Sequence, residues 1–291
     1  MSRRTRIILT FLALTAMFIW AEVAKSPPDN ALRLYFLDVG QGDSALIQKG
    51  NYQVLIDGGP DDNVLSELGR VMPLSDRRIE IMILTHPHAD HLVGLNSIMN
   101  RYEIDQIYVG GVIHTSNAYL EFLETIKNKQ IPLAVPEINQ IKNLFEGAVL
   151  TFLWPGKVDA EQSVENLNNT SIVNRFCYFD QCALLTGDIE TEEQERMFSY
   201  YTDRGMPIKD KFSAVVLKAP HHGSANANTD SLYEKIIPRY VVISAGADNR
   251  YGHPHRATLD TIEKIGAQIL RTDRDGAIEF IVGAEGVLPV Q

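Results

Sequence analysis

Apolar residues along this chain come in short runs, and the runs switch between strand-like and helix-like patterns. Segments of strand length lie at Leu32–Asp38, Ala45–Gln48, Gln53–Ile56, Gln106–Val109 and Ala148–Trp154. Ile81–Leu84 is unbroken and apolar up to Thr85, the pattern of a strand buried on both faces. Between these, Val64–Arg70, Leu92–Arg101 and Asn117–Lys129 carry helical spacing. The second half repeats the alternation. Strands are expected at Ser171–Phe176, Ala183–Thr186, Ala214–Leu217, Tyr240–Ser244 and Ile278–Val282, and helices near Ser231–Ile237 and Ala257–Ile265. Thr191-Glu192-Glu193-Gln194 has the form of a capping box and predicts a helix to about Tyr201. A polar loop, Pro155–Asn169, separates the halves. Interleaved strands and helices with no repeat or second linker predict one α/β domain over residues 31–291.

The leading residues 1–25 follow a different pattern. Arg3, Arg4 and Arg6 precede an apolar run from Ile7 to Ala21, as in a signal peptide or an N-terminal anchor. About 15 helical residues span roughly 22 Å, short of the roughly 30 Å hydrocarbon core of a bilayer. Glu22 also stands where a cleavage site needs a small residue. An uncleaved anchor and a cleaved signal are therefore both carried forward. Residues 26–30, Ser-Pro-Pro-Asp-Asn, form a breaker-rich linker. With the arginines on the inner side, the domain is expected to be membrane-anchored or secreted and extracytoplasmic.

Composition changes the picture in two places. The formal net charge of −10 argues against a broad basic face that grips nucleic acid by counterion release. Bound cations add local positive charge that this count omits, so a nuclease is not excluded. The two cysteines, Cys177 and Cys182, would face each other across a hairpin turning at Phe179–Asp180, at the pair position where side chains lie closest. A disulfide or two buried thiols both fit that placement, and export permits the disulfide.

Histidine placement carries the chemistry. Seven of the eight histidines fall in three clusters, each just beyond a predicted strand, and only His114 stands alone as a surface or loop residue. Sites in α/β folds assemble at strand ends, where loops converge. Thr85-His86-Pro87-His88-Ala89-Asp90-His91 packs four ligand groups into its last six residues. They cannot share one face of a strand or helix, but a turn leading into a helix can point them inward together. Imidazole with carboxylate suits zinc, manganese or iron.

His-x-His-x-Asp-His after a buried strand resembles the signature of the metallo-β-lactamase superfamily. Within it, the chain is similar to the hydrolase domain of the ComEC family of DNA-uptake channel proteins. The shared hallmarks run in order: Asp38–Ser44, Ile56–Gly59, His86–His91, Asn168–Ser171, Leu185–Asp188, Ala219–Ser224 and Tyr251–His255. The many-helix channel of that family has no counterpart in this sequence. The resemblance implies an αββα sandwich and two divalent metal ions, zinc or manganese. His86 and His88 would bind one ion, Asp90 and His91 the second, and Asp188 would bridge them. His221 would complete the second site, with His222 able to exchange roles with it. The histidine that many members place between the first run and the bridging aspartate is missing; Asn168 and Ser171 occupy that region, which makes the first site the weaker one.

A metal-bridging water near neutral pKa would make the chain a metal-dependent hydrolase. Asp90 belongs to that catalytic centre, and His253 and His255 are expected to stabilise developing charge or protonate a leaving group. Asp57 is expected to orient a ligand imidazole, or to serve only as a turn former. Asp43 shares a glycine-rich loop with Asp38, where turn chemistry competes with a supporting role. Ser224 is a cap or a substrate hydrogen bond, and Lys218 an ordinary residue beside the site. The expected activity is phosphodiester hydrolysis on DNA or a nucleotide, with the membrane as a partner of the N-terminal segment. The same centre would also suit a lactam, lactone or thioester hydrolase, and a catalytically silent binding module is the third alternative.

Overall fold

The computed structural model describes residues 2–25, 30–155 and 166–290. It divides into two units, Met1–Asn30 and Ala31–Gln291. In the first, residues Arg3–Lys25 form helix α1. No helix among the described residues is long and apolar enough to cross a membrane, which corrects the expectation of a transmembrane helix. The charged residues Arg3, Arg4 and Arg6 at one end and Glu22 and Lys25 at the other leave too short an apolar run between them.

Ala31–Gln291 holds two mixed sheets. The first has the order β15-β14-β1-β2-β3-β4-β5-β6, the second β13-β12-β11-β10-β9-β8-β7. In chain order the first half contributes β1 (Leu32–Phe36), β2 (Ala45–Lys49), β3 (Tyr52–Ile56), β4 (Arg78–Leu84), β5 (Glu103–Val109) and β6 (Leu133–Ala134). The second sheet is built from β7 (Ile141–Phe145), β8 (Ala148–Trp154), β9 (Val173–Tyr178), β10 (Gln181–Leu185), β11 (Val216–Lys218), β12 (Tyr240–Ile243) and β13 (Gln268–Arg271). The last two strands, β14 (Ile278–Gly283) and β15 (Gly286–Pro289), return to the first sheet.

The sheets face each other across one apolar layer. Leu34, Phe36, Ile47, Val54 and Ile83 from the first sheet meet Leu150, Phe152, Phe176, Val216 and Val242 from the second. Each such side chain, fully buried, contributes about 1.5–3 kcal/mol. Helices cover both outer faces. On the first sheet lie α2 (Asn63–Val71), α3 (Ala89–Arg101) and α4 (Asn117–Lys129), packed through Leu68, Leu92, Leu95 and Phe122. On the second lie α5 (Thr191–Asp203), α6 (Ile208–Phe212), α7 (Asp230–Ile236) and α8 (Arg256–Lys264), packed through Met197, Phe198, Phe212, Tyr233 and Ile262. A one-turn helix, α9 (Thr272–Asp275), follows β13. This is the expected αββα sandwich.

The expected elements appear with ends shifted by a few residues, but four strands were not anticipated: β6, β7, β13 and β15. All lie at or next to a sheet edge, where partly exposed positions blur the apolar pattern. The capping box does not form. The Thr191 hydroxyl donates to the Asn226 carbonyl at 2.5 Å, and the Gln194 side-chain amide donates to the Ile189 and Ala227 carbonyls, both at 2.8 Å. Cys177 and Cys182 are paired across the β9–β10 hairpin and joined by a disulfide. Most of the polar loop, residues 156–165, lies outside the described residues, as do 26–29 of the linker.

Candidate metal centre

The histidine run sits at the end of β4, which lies between its parallel neighbours β3 and β5. His88 is the extended residue at the start of α3, so Asp90 and His91 occupy the first turn of that helix. A carboxylate there faces the positive end of the helix. Close approach of α3 to the Asp57–Pro60 turn depends on glycine. A Cβ on Gly94 would lie 1.9 Å from the Gly58 carbonyl oxygen, and the Gly58 amide donates to the His91 carbonyl at 2.8 Å.

That packing lets Asp57 reach two residues of the motif. Its Oδ1 accepts from the Thr85 amide at 2.8 Å, and its Oδ2 accepts from the Thr85 hydroxyl at 2.7 Å and from His91 Nδ1 at 2.8 Å. His91 Nε2 is thereby aimed at Asp188, 3.2 Å from Oδ2. The arrangement also sets the tautomer of His86. The Thr85 proton is committed to Asp57, so Thr85 Oγ1, 3.2 Å from His86 Nδ1, can only accept there. Ser171 Oγ lies 3.3 Å from the same nitrogen and accepts from the Asp188 amide at 3.0 Å. His86 therefore carries its proton on Nδ1 and turns the lone pair of Nε2 inward.

Asp188 lies just past β10. The late histidines lie in the turn Pro220–Gly223, where His221 and His222 both adopt left-handed backbone conformations, at φ 49° and 51°. Such conformations cost on the order of 1–3 kcal/mol each in a non-glycine residue and concentrate at functional sites. The turn points the two rings differently. His222 Nε2 stands 3.3 Å from Asp188 Oδ2 and 3.4 Å from Asp90 Oδ2, and its Nδ1 donates to the Ser244 carbonyl at 2.9 Å. His221 instead faces Glu190 Oε1 at 3.2 Å and Asn168 Nδ2 at 3.5 Å. Geometry thus exchanges the expected parts: His222 joins the cluster and His221 stands beside it.

Asp90, His91, Asp188 and His222 each present one ligand atom, all within 4.8 Å of one another. His91 Nε2 and His222 Nε2 are buried with no hydrogen-bond partner, although carboxylates stand beside both. Two imidazoles and two carboxylates converging with lone pairs unspent fit a divalent cation. His86 Nε2 and His88 Nδ1 approach to 3.0 Å beside this group. No third imidazole or carboxylate joins them in a compact group among the described residues.

Beneath the cluster is an ion pair that sequence reasoning discounted. Lys218, only 3% exposed at the end of β11, pairs with Asp43 Oδ2, approaches Asp188 Oδ1 at 3.3 Å and donates to the Gly187 carbonyl at 2.9 Å. Asp43 Oδ1 lies 3.3 Å from His222 Nδ1. The available signal was a lysine closing a strand that is otherwise buried and apolar. Burial works against every charge here, and neighbours decide the outcome. Burial and then His91 hold the His86 imidazole well below its usual range. Burial opposes the charge on His91 and on His222, but Asp188 and the other carboxylates push both well above it. Burial would raise Asp188, yet His222, His91 and Lys218 draw it well below the usual carboxylate range.

Above the cluster opens a cleft of about 280 Å³ lined by Asp90, Asp188, His222, Asn168, Tyr251 and His253, among others. His253 enters it; His255 and Ser224 are not among its lining residues. His255 Nδ1 accepts from the Ala225 amide at 2.9 Å, and its ring packs against His253 at 4.9 Å. Its place is behind His253. Ser224 is buried, and its carbonyl accepts from Asn228 Nδ2 at 2.7 Å.

Residues 37–247 match the family model for the metallo-beta-lactamase superfamily, and the chain belongs to that family. Among curated proteins it is similar to ComE operon protein 3 of Bacillus subtilis (26% identical, 84% of this chain, 32% of that protein). It is also similar to competence protein ComA of Neisseria gonorrhoeae (27% identical, 89% of this chain, 34% of that protein). The chain spans about a third of the length of these relatives. In fold it resembles Igni18, a metallo hydrolase from Ignicoccus hospitalis, with TM-score 0.54, 13% identity, and coverage of 86% of this chain and 100% of that one. YhfI of Bacillus subtilis, a metallo-beta-lactamase fold protein, gives TM-score 0.53, 14% identity, and coverage of 82% and 96%.

Proposed function

We propose that this chain is a metal-dependent phosphodiesterase acting on nucleic acid or nucleotides outside the cytoplasm. The observation that carries the reading is the convergence of Asp90, His91, Asp188 and His222, with two unpartnered buried imidazole nitrogens, at an open cleft that Asp90, Asp188 and His222 line. Likeness to competence proteins over most of this chain supports the phosphodiester over other hydrolysable bonds. The disulfide and the basic, then apolar, leading segment support an oxidising compartment.

His91, His222, Asp90 and Asp188 would hold one divalent ion, and His86 and His88, with Asp188, a second and weaker one. Bound there, such ions supply Lewis acidity and a nucleophile drawn from water at neutral pH. The protein's own part is positional. Asp57 orients His91, Thr85 and Ser171 orient His86, and Lys218 and Asp43 brace Asp188 and His222 from below. Asn168 and His253 present hydrogen-bonding groups to a substrate in the cleft, where negative charge develops.

The test uses the full chain with manganese, zinc or EDTA, beside the Asp188→Ala protein. Bis(p-nitrophenyl) phosphate, single-stranded DNA and nitrocefin are the substrates. Metal-dependent cleavage of the two phosphodiesters, abolished by the substitution, is the expected result. Turnover of nitrocefin alone would reassign the substrate class, and a metal-loaded protein inert toward all three would overturn the phosphodiesterase reading.

A further inference from the structure

The mouth of the cleft carries an aromatic surface that the metal chemistry does not use. Tyr251 lines the cleft and is 52% exposed. Its ring lies nearly parallel to that of His253, with centroids 5.7 Å apart and planes at 22°. The Arg250 guanidinium lies 5.0 Å from the Tyr251 ring centre and donates to the phenol oxygen at 2.9 Å. His253 in turn leans toward His222, with ring centroids 6.3 Å apart. Tyr251 therefore stands one ring beyond His253 from the candidate metal ligands, with the Arg250 guanidinium over its ring. Deeper in the cleft, the buried Asn168 side chain stands beside His88 and His221.

We propose that Tyr251 is a stacking platform for an unpaired nucleobase next to the scissile phosphodiester, with Arg250 drawing the strand toward an otherwise acidic molecule. This rests on the phosphodiesterase reading and specifies its substrate as a single strand or a nucleotide. A half-exposed ring beside an arginine accepts a flat aromatic partner on its open surface, and every base has such a face. A base inside a duplex has both faces already covered. A plain alkyl phosphodiester would leave the platform unused. The His253 ring behind Tyr251 ties the platform to the reacting centre, so stacking would position the phosphate as well as add affinity.

The experiment measures binding with EDTA present, so that cleavage plays no part. A short single strand containing 2-aminopurine is titrated with the full chain and with its Tyr251→Phe and Tyr251→Ala forms, beside the same sequence as a duplex. Stacking quenches this base. The wild type and Tyr251→Phe should quench the emission and bind alike. Tyr251→Ala should leave it bright and bind about tenfold or more weakly, and the duplex should bind no better than Tyr251→Ala binds the strand. Equal binding and quenching by Tyr251→Ala would overturn the platform, as would tighter binding of the duplex. Wild type that binds no strand but still cleaves bis(p-nitrophenyl) phosphate overturns the platform and leaves the phosphodiesterase standing. Wild type that does neither overturns both.

Discussion

At the scale of single residues, Lys218 is the side chain whose role depends most on its surroundings. An ammonium group 3% exposed persists only because Asp43 and Asp188 flank it. Burial lowers its pKa, and the two carboxylates more than restore it. Replacing it with methionine keeps the volume and removes the charge, leaving the Asp43 and Asp188 carboxylates buried without this counter-ion. Lys218→Met should lower the stability of the metal-free protein by about 3–5 kcal/mol in urea unfolding. Adding Asp43→Asn should recover part of that loss, because the two sites share one network. Additive losses would mean that the pair does not interact. Nothing in the local sequence distinguished this lysine from a lysine flanking a strand end; only the approach of Asp43 from a distant loop does.

At the scale of elements, the fit of α3 against the turn after β3 holds the centre together. Gly94 lies within a helix, where glycine is normally about 1 kcal/mol worse than alanine. Here the Gly58 carbonyl occupies the space a methyl group would need. Gly94→Ala should destabilise the domain by about 1–3 kcal/mol through overpacking and weaken metal binding, since α3 begins with Asp90 and His91. Gly69→Ala in α2, which meets open space, should instead leave stability unchanged or raise it by up to about 1 kcal/mol. Equal effects at both positions in urea unfolding would discard the packing argument. Helix α4 was legible to the residue, because Ser116 caps it through its hydroxyl and apolar residues line one face. Helix α5 was legible in place but not in its cap, since Thr191 bonds instead to Asn226, thirty-five residues away.

At the scale of the whole molecule, the metal would join loops drawn from both sheets, so binding it should stabilise the fold as a unit. A ligand at a hundred times its Kd adds about 2.7 kcal/mol, on the order of 5–10 °C in Tm for a domain of this size. Calorimetry should show this rise with manganese or zinc in wild type and in His221→Ala, and a smaller one in His222→Ala. The reverse order would return His221 to the cluster. Both late histidines were visible in the sequence, but which one turned inward was not. Adjacent residues in an irregular turn have no periodicity to order them, and their directions follow from two left-handed backbone conformations. By itself, the sequence determined the family, the αββα layering and the histidine run, because strand alternation, helical spacing and the His-x-His-x-Asp-His motif are local patterns. Tertiary structure alone decided the inward histidine, the Asp43–Lys218–Asp188 brace, the retreat of His255 behind His253 and the edge strands. Each of these depends on contacts between residues far apart in the chain, and no local pattern records them.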